Sequence, residues 1–209
     1  MIEVYSSVQG ESTFVGLPCV FVRLAGCNLR CVWCDSTFTF KGGEHRSVAD
    51  VLDEVERAGI PLVEVTGGEP LVHRQAIPLM EGLIARGHTV LLETSGSRDI
   101  GPVPEAVHVI MDLKPPDSGE ERANLWSNLP KLKMKDEVKF VIASRRDFEW
   151  SRDVVTEHRL AERAKVLFSP VFGAVNPREL VEWMLADKVP ARFQLQMHKV
   201  VWPPNERGV

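Results

Sequence analysis

Short apolar runs rich in Val, Leu, Ile and Phe recur along the chain, separated by stretches whose apolar residues repeat every three to four positions. The runs predict strands over Ile2–Ser6, Val20–Leu24, Leu62–Thr66, Thr89–Glu93, Val107–Asp112, Val138–Ala143, Lys165–Ser169 and Phe193–Met197. The stretches between them predict helices. Ser47 reads as an N-cap with Asp50 three residues on, and Val48, Val51, Leu52 and Val55 make one apolar face ending at Gly59. Ile77–Arg86 stops at Gly87, and Asn176-Pro177 opens a helix carrying Leu180, Val181 and Met184. Apolar strands alternating with amphipathic helices imply βα units around a parallel sheet. A closed eight-unit barrel takes about 250 residues. With 209 residues, the predicted architecture is an incomplete, splayed β/α barrel of about six parallel strands, one domain over residues 1–209.

Composition narrows the function classes. The hydrophobic share of 44% and charged share of 26% are those of a soluble globular protein. A net charge of −4 offers no nucleic-acid surface and no attraction to an anionic membrane. No apolar run approaches the roughly 20 residues that span a bilayer. Four cysteines without a visible export signal point to a reducing cytoplasm rather than to disulfides.

Three of those cysteines, Cys27, Cys31 and Cys34, fall within eight residues. Electron carriers hold all four corners of a 4Fe–4S cube with thiolates, so three thiolates would leave one iron open to a small molecule. Three cysteines with a histidine also make a closed zinc site, with His45 the nearest histidine downstream. Cys19, in an apolar run, reads as a buried core thiol.

Chemistry in a parallel sheet gathers at the carboxyl ends of its strands. There the chain carries Thr66-Gly67-Gly68-Glu69-Pro70, whose glycines let the backbone approach a ligand and whose amides and carboxylate suit a zwitterion. The next ends are Glu93-Thr94-Ser95, suited to ribose hydroxyls, then Asp112-Leu113-Lys114 and Ser169-Pro170-Val171-Phe172. On successive strands they outline a pocket large enough for a nucleoside.

The cysteine spacing and the glycine turn resemble the radical S-adenosylmethionine (SAM) superfamily. A narrower resemblance rests on Ser6-Ser7-Val8-Gln9-Gly10-Glu11-Ser12, Phe21-Val22-Arg23-Leu24-Ala25-Gly26-Cys27, Trp33-Cys34-Asp35-Ser36-Thr37 and Gln196-Met197-His198-Lys199. In this order over almost the whole chain, they are similar to the family of 7-carboxy-7-deazaguanine synthases. The resemblance implies the partial barrel of radical SAM enzymes. It also implies a lyase reaction in queuosine and 7-deazapurine biosynthesis, in which 6-carboxy-5,6,7,8-tetrahydropterin loses ammonia. A 5′-deoxyadenosyl radical takes a substrate hydrogen, the ring contracts, and SAM is regenerated. Implied with it are a homodimer, a reductant such as flavodoxin or ferredoxin, and Mg²⁺.

Residue by residue, the resemblance places the cluster on Cys27, Cys31 and Cys34. SAM falls to Trp33, Asp35, Gly67, Gly68, Glu69, Glu93, Ser95, Asp112, Leu113, Lys114, Ser169, Pro170, Val171 and Phe172. Arg23, a guanidinium on an apolar strand, is assigned to the substrate carboxylate. Val8, Gln9, Gly10 and Glu11 would read the pterin edge, with Thr66 and His198 as further contacts and His198 following the Phe193–Met197 strand. Family members have Cys-Asp-Thr after the last cluster cysteine, so Ser36 takes the magnesium position here. Relatives end near the second proline of Trp202-Pro203-Pro204, where a terminal carboxylate meets substrate. Here residues 205–209 follow Pro204, a departure from that pattern. A glycyl-radical-enzyme activase shares the cluster motif and glycine turn, and a zinc-stabilised binding module is the non-enzyme reading.

Overall fold

The computed structural model describes residues 1–204 and 206–208. Eight strands form one sheet in sequential order: β1 (Glu3–Val8), β2 (Pro18–Leu24), β3 (Leu62–Gly67), β4 (Thr89–Thr94), β5 (His108–Leu113), β6 (Glu137–Ile142), β7 (Lys165–Pro170) and β8 (Arg192–Phe193). β1 runs antiparallel to β2, and every later pair is parallel. Among the described residues β1 and β8 have no partner strand on their outer sides, so the sheet does not close. The architecture is the partial barrel expected from the sequence, with six parallel strands of six or seven residues and a two-residue β8.

The period of two along each strand separates two environments. On the outer face, Val20, Val22, Val63, Val65, Val90 and Leu92 pack against α1 (Val48–Ala58) and α2 (Ala76–Ala85). Val138, Phe140, Ile142 and Phe168 do the same against α3 (Arg145–Glu157) and α4 (Pro177–Asp187). On the inner face an apolar layer of Cys19, Phe21, Leu62, Leu91 and Ile110 fills the barrel. Arg23, Glu93 and Asp112, two residues beyond Phe21, Leu91 and Ile110, form a polar layer above it with Thr66, which is paired with Arg23 across β2 and β3.

Helix starts follow local chemistry. Ser47 Oγ accepts from the Asp50 amide at 3.1 Å and donates to its carboxylate at 2.6 Å, while Gly59 ends α1 at a φ of 68°. Ser144 caps α3 through the Asp147 amide, and Asn176 caps α4 through the Arg178 amide.

The predicted strand Phe193–Met197 is corrected to Arg192–Phe193. After the Gln194 amide donates to Phe168 O at 3.0 Å, the chain leaves the sheet and bonds the amino-terminal segment instead. The Met197 amide donates to Gly10 O at 2.8 Å, and Gln196 Nε2 donates to Glu11 at 2.8 Å. His198 therefore opens a one-turn helix, α5 (His198–Val201), rather than following a strand.

Candidate active site

A cavity of about 690 Å³ opens over the polar layer at the carboxyl ends of β2 to β6. Its wall includes Cys27, Cys31 and Cys34 together with residues Val8–Glu11. The β2–α1 connection that carries the cysteines is held at several points. The Gly26 amide donates to Thr39 O at 2.6 Å, the Val32 amide to Ser118 O at 3.0 Å, and Asn28 Nδ2 to Ser97 Oγ at 3.0 Å. Arg30 lies 4.2 Å from the Phe40 ring centroid, a cation–π contact that ties the loop to its own continuation. Burial pushes the Cys31 thiol up to about 11 and raises Cys34 as well. Trp33, Asp35 and Ser36 line the same wall, with Ser36 Oγ donating to Asp35 at 3.1 Å.

The glycine turn after β3 packs beneath the cysteines. A side chain on Gly68 would place its Cβ 2.6 Å from the Gly26 carbonyl carbon and 2.8 Å from Cys27 Cβ, so only glycine fits. Gly67 and Gly68 face the cavity, but Glu69 does not. The Glu69 carboxylate is fully buried and accepts from Thr94 Oγ1, the Ser95 amide, Ser95 Oγ and the Leu71 amide. It ties the ends of β3 and β4 together. Ser95, Asp112, Lys114, Val171 and Phe172 reach the cavity. Leu113 and Pro170 lie on the alternate strand positions, Leu113 within the outer core, and do not reach the cavity wall. Ser169 is buried, off that wall, and its Oγ has no hydrogen-bond partner among the described residues.

The floor is an ionic array. Lys139, on the inner face of β6 with 4% of its side chain exposed, donates to Glu11 at 2.7 Å and to Glu93, and stands 4.0 Å from Asp112. Burial opposes the Lys139 charge, but Glu11, Glu93 and Asp112 more than offset that and hold its ammonium well above the usual lysine range. Burial likewise opposes the Glu93 charge, yet Lys139 and the Thr66 hydroxyl at 3.1 Å draw it down to about 2. Glu64, behind them and bonded to Gln9 Nε2, goes the other way: burial and the Glu93 charge raise it. Lys114 pairs with Asp112 at 2.9 Å.

Arg23 lines the cavity but enters it already engaged. Its Nε donates to Glu3 at 2.8 Å, and a terminal nitrogen donates to the Tyr5 hydroxyl. His198 packs on the bare backbone of Gly10, where any side chain would collide with its ring. Lys199 bridges Asp35 and Gln196 at 2.7 Å each, joining the carboxyl-terminal turn to the cysteine loop. Pro204, Glu206, Arg207 and Gly208 complete the rim, while Asn205 and Val209 lie outside the described residues.

Residues 22–125 match the family model described as the radical SAM superfamily. A relative named 7-carboxy-7-deazaguanine synthase from Koribacter versatilis is 45% identical, over 99% of this chain and 98% of the relative. One of the same name from Chlorobaculum tepidum is 41% identical, over 99% and 96%. The chain belongs to the 7-carboxy-7-deazaguanine synthase family. Its fold matches the crystal structure of QueE from Escherichia coli with a TM-score of 0.76 at 26% identity, covering 94% of this chain and 92% of that one. An archaeal TYW1 structure matches at a TM-score of 0.58 and 11% identity, a likeness of fold alone.

Membership makes this a radical SAM enzyme and sets aside the activase and the zinc module. His45 is exposed and stands off the cavity wall, so the donors a zinc site would use are not assembled. Among the described residues no three His, Cys, Asp or Glu side chains converge as a mononuclear cage requires. A cubic cluster presents separate corners, and its ligands need not meet at one atom. Three half-buried thiols facing one cavity fit that group. Sequence reasoning missed Lys139 and Glu64. Each is a charged residue flanked by apolar neighbours in a strand, the same signal that singled out Arg23.

Proposed function

We propose that the cavity converts 6-carboxy-5,6,7,8-tetrahydropterin to 7-carboxy-7-deazaguanine with loss of ammonia, in 7-deazapurine biosynthesis. Cys27, Cys31 and Cys34 would hold the 4Fe–4S cluster, and Gly67, Gly68, Glu93, Ser95, Asp112, Lys114, Val171 and Phe172 would surround SAM. When bound, the two supply a carbon radical that takes a hydrogen atom from substrate.

The observation that carries this reading is the ionic floor. A pterin presents a guanidine-like edge of N–H donors, which needs carboxylate and amide acceptors. Glu11, Glu64, Glu93 and Gln9 line the same cavity as the cysteines. Lys139 neutralises part of that acid cluster, so the site accepts a neutral, donor-rich ring without excess charge. Arg23 stays the candidate for the carboxylate through its remaining nitrogen, with Thr66 and His198 beside the ring.

Magnesium would take the Ser36 hydroxyl with oxygens from substrate and water. One hydroxyl does not cage the ion, and no step is assigned to it. An external low-potential reductant, flavodoxin or ferredoxin, and a homodimeric assembly belong to the same proposal. Among the described residues no helix is long and apolar enough to cross a membrane.

The test is an oxygen-free incubation of reconstituted protein with SAM, dithionite and the carboxypterin. Formation of the deazapurine by ultraviolet and mass detection is expected without any protein partner. SAM cleavage that leaves the pterin intact would refute the assignment. Arg23→Ala should raise KM for the carboxypterin about tenfold or more while SAM cleavage persists; an unchanged KM removes Arg23 from the site.

A further inference from the structure

Five lysine and arginine side chains line the cavity: Arg23, Lys114, Lys139, Lys199 and Arg207. Four of them already hold carboxylates. Arg23 is on Glu3 at 2.8 Å, Lys114 on Asp112 at 2.9 Å, Lys139 on Glu11 at 2.7 Å, and Lys199 on Asp35 at 2.7 Å. Arg207 has no carboxylate partner among the described residues. Its guanidinium instead rests 4.0 Å from the centroid of the Phe38 ring. Arg23 faces the same ring at 5.8 Å, so Phe38 carries two guanidiniums at one corner of the cavity.

The difference between the two arginines is chemical. Bidentate capture of a carboxylate takes two parallel N–H donors of one guanidinium. The Nε of Arg23 and one of its terminal nitrogens are spent on Glu3 and Tyr5, so a two-point contact there would have to break a bond to β1. A guanidinium stacked on an aromatic face keeps its in-plane donors free, because stacking uses only the flat side. The Arg207 fork is therefore available to a ligand in the cavity.

We propose that Arg207 is a substrate-binding residue that reads the carboxylate of the small molecule in this cavity, with Phe38 as its support. The proposal rests on the carboxypterin reading given above and assigns a job to the segment after Pro204. Phe38 pre-orders the side chain, which lowers the entropy lost when the contact forms.

The experiment uses the reconstituted, unreduced holoenzyme under exclusion of oxygen. Calorimetry measures the affinity for the carboxypterin, for tetrahydropterin without the carboxylate, and for SAM. Arg207→Ala should weaken carboxypterin binding about tenfold to a hundredfold. Affinity for SAM, whose own carboxylate is an alternative partner, and the melting temperature should stay at parent values. Arg207→Lys, which keeps the charge but not the fork, should recover only part of the loss. A carboxypterin Kd within twofold of the parent in Arg207→Ala overturns the proposal, as does a loss confined to SAM or shared equally by the carboxylate-free pterin. If the parent holoenzyme binds no carboxypterin, the functional reading itself falls and takes this assignment with it. Binding by the parent together with an indifferent Arg207→Ala sinks this assignment alone.

Discussion

Lys139 sits between Glu11 and Glu93 with almost no access to water, so its charge is held only by its partners. Replacing it with a methionine of similar length strands two carboxylates in the barrel. Breaking a buried pair this way costs about 3–5 kcal/mol, and we expect Lys139→Met to show that loss in urea unfolding at pH 7, together with loss of pterin binding. An unfolding midpoint equal to the parent's would mean the array contributes nothing. Glu64 makes the opposite prediction. Its carboxyl is raised in the fold, so the native state binds a proton more tightly there than the unfolded chain does. Stability from this group is full at pH values below the ordinary glutamate range and falls as pH rises through the raised value. Glu64→Gln keeps an acceptor for Gln9 and removes the penalty. It should melt higher than the parent at pH 8, by about 2–4 °C for each kcal/mol released, and show little difference at pH 4. A gain at pH 4 as large as at pH 8 would contradict the sign of the shift. Neither residue was singled out from the sequence, although each has apolar neighbours, Lys139 in Val-Lys-Phe-Val-Ile and Glu64 in Leu-Val-Glu-Val-Thr. What the sequence withheld was their meeting, since the two stand 75 positions apart on strands β3 and β6.

At the level of elements, the turn after β3 and the loop after β2 act as one unit. Gly68 leaves no room for a methyl group against Gly26 and Cys27. Gly68→Ala should therefore displace the cysteine loop while leaving α1, α2 and the outer core intact. The expected result is less iron and sulfide bound per chain after reconstitution, with far-ultraviolet circular dichroism unchanged. Parent-level iron in that variant would show the loop independent of the turn. The helices themselves were readable because caps are local: Ser47 with Asp50 and Asn176 with Pro177 are signals within four residues. β8 was misread because its residues carry apolar side chains suited to a strand, but tertiary contacts of Gln196 and Met197 with Gly10 and Glu11 drew the backbone out of the sheet. The same contacts turned His198 into a helix start. Glu69 is a comparable case. Its place in the glycine turn suggested a ligand to SAM, and the fold gave its carboxylate four donors from β4 and the turn itself.

For the molecule as a whole, a sheet open between β1 and β8 has to be closed by something other than strand pairing. Residues Gln9–Glu11 and Gln196–Lys199 do this, binding each other and reaching Lys139 and Asp35. Substrate, cluster and SAM would be held among all of these segments, so binding should stabilise the complete chain. SAM at a hundred times its Kd adds about 2.7 kcal/mol, and the reconstituted protein should melt several degrees higher with SAM than without. No shift at saturating SAM would leave the cavity without its proposed cofactor. The sequence by itself determined the alternation of strands and helices, the cysteine spacing and the glycine turn, because each is a pattern over a few neighbouring residues. Only the tertiary structure decided which polar groups share the barrel interior, which arginine is spent on β1, and that Glu206, Arg207 and Gly208 lie on the cavity rim. Those outcomes depend on distances between residues far apart in the chain, and the packing of the sheet sets them.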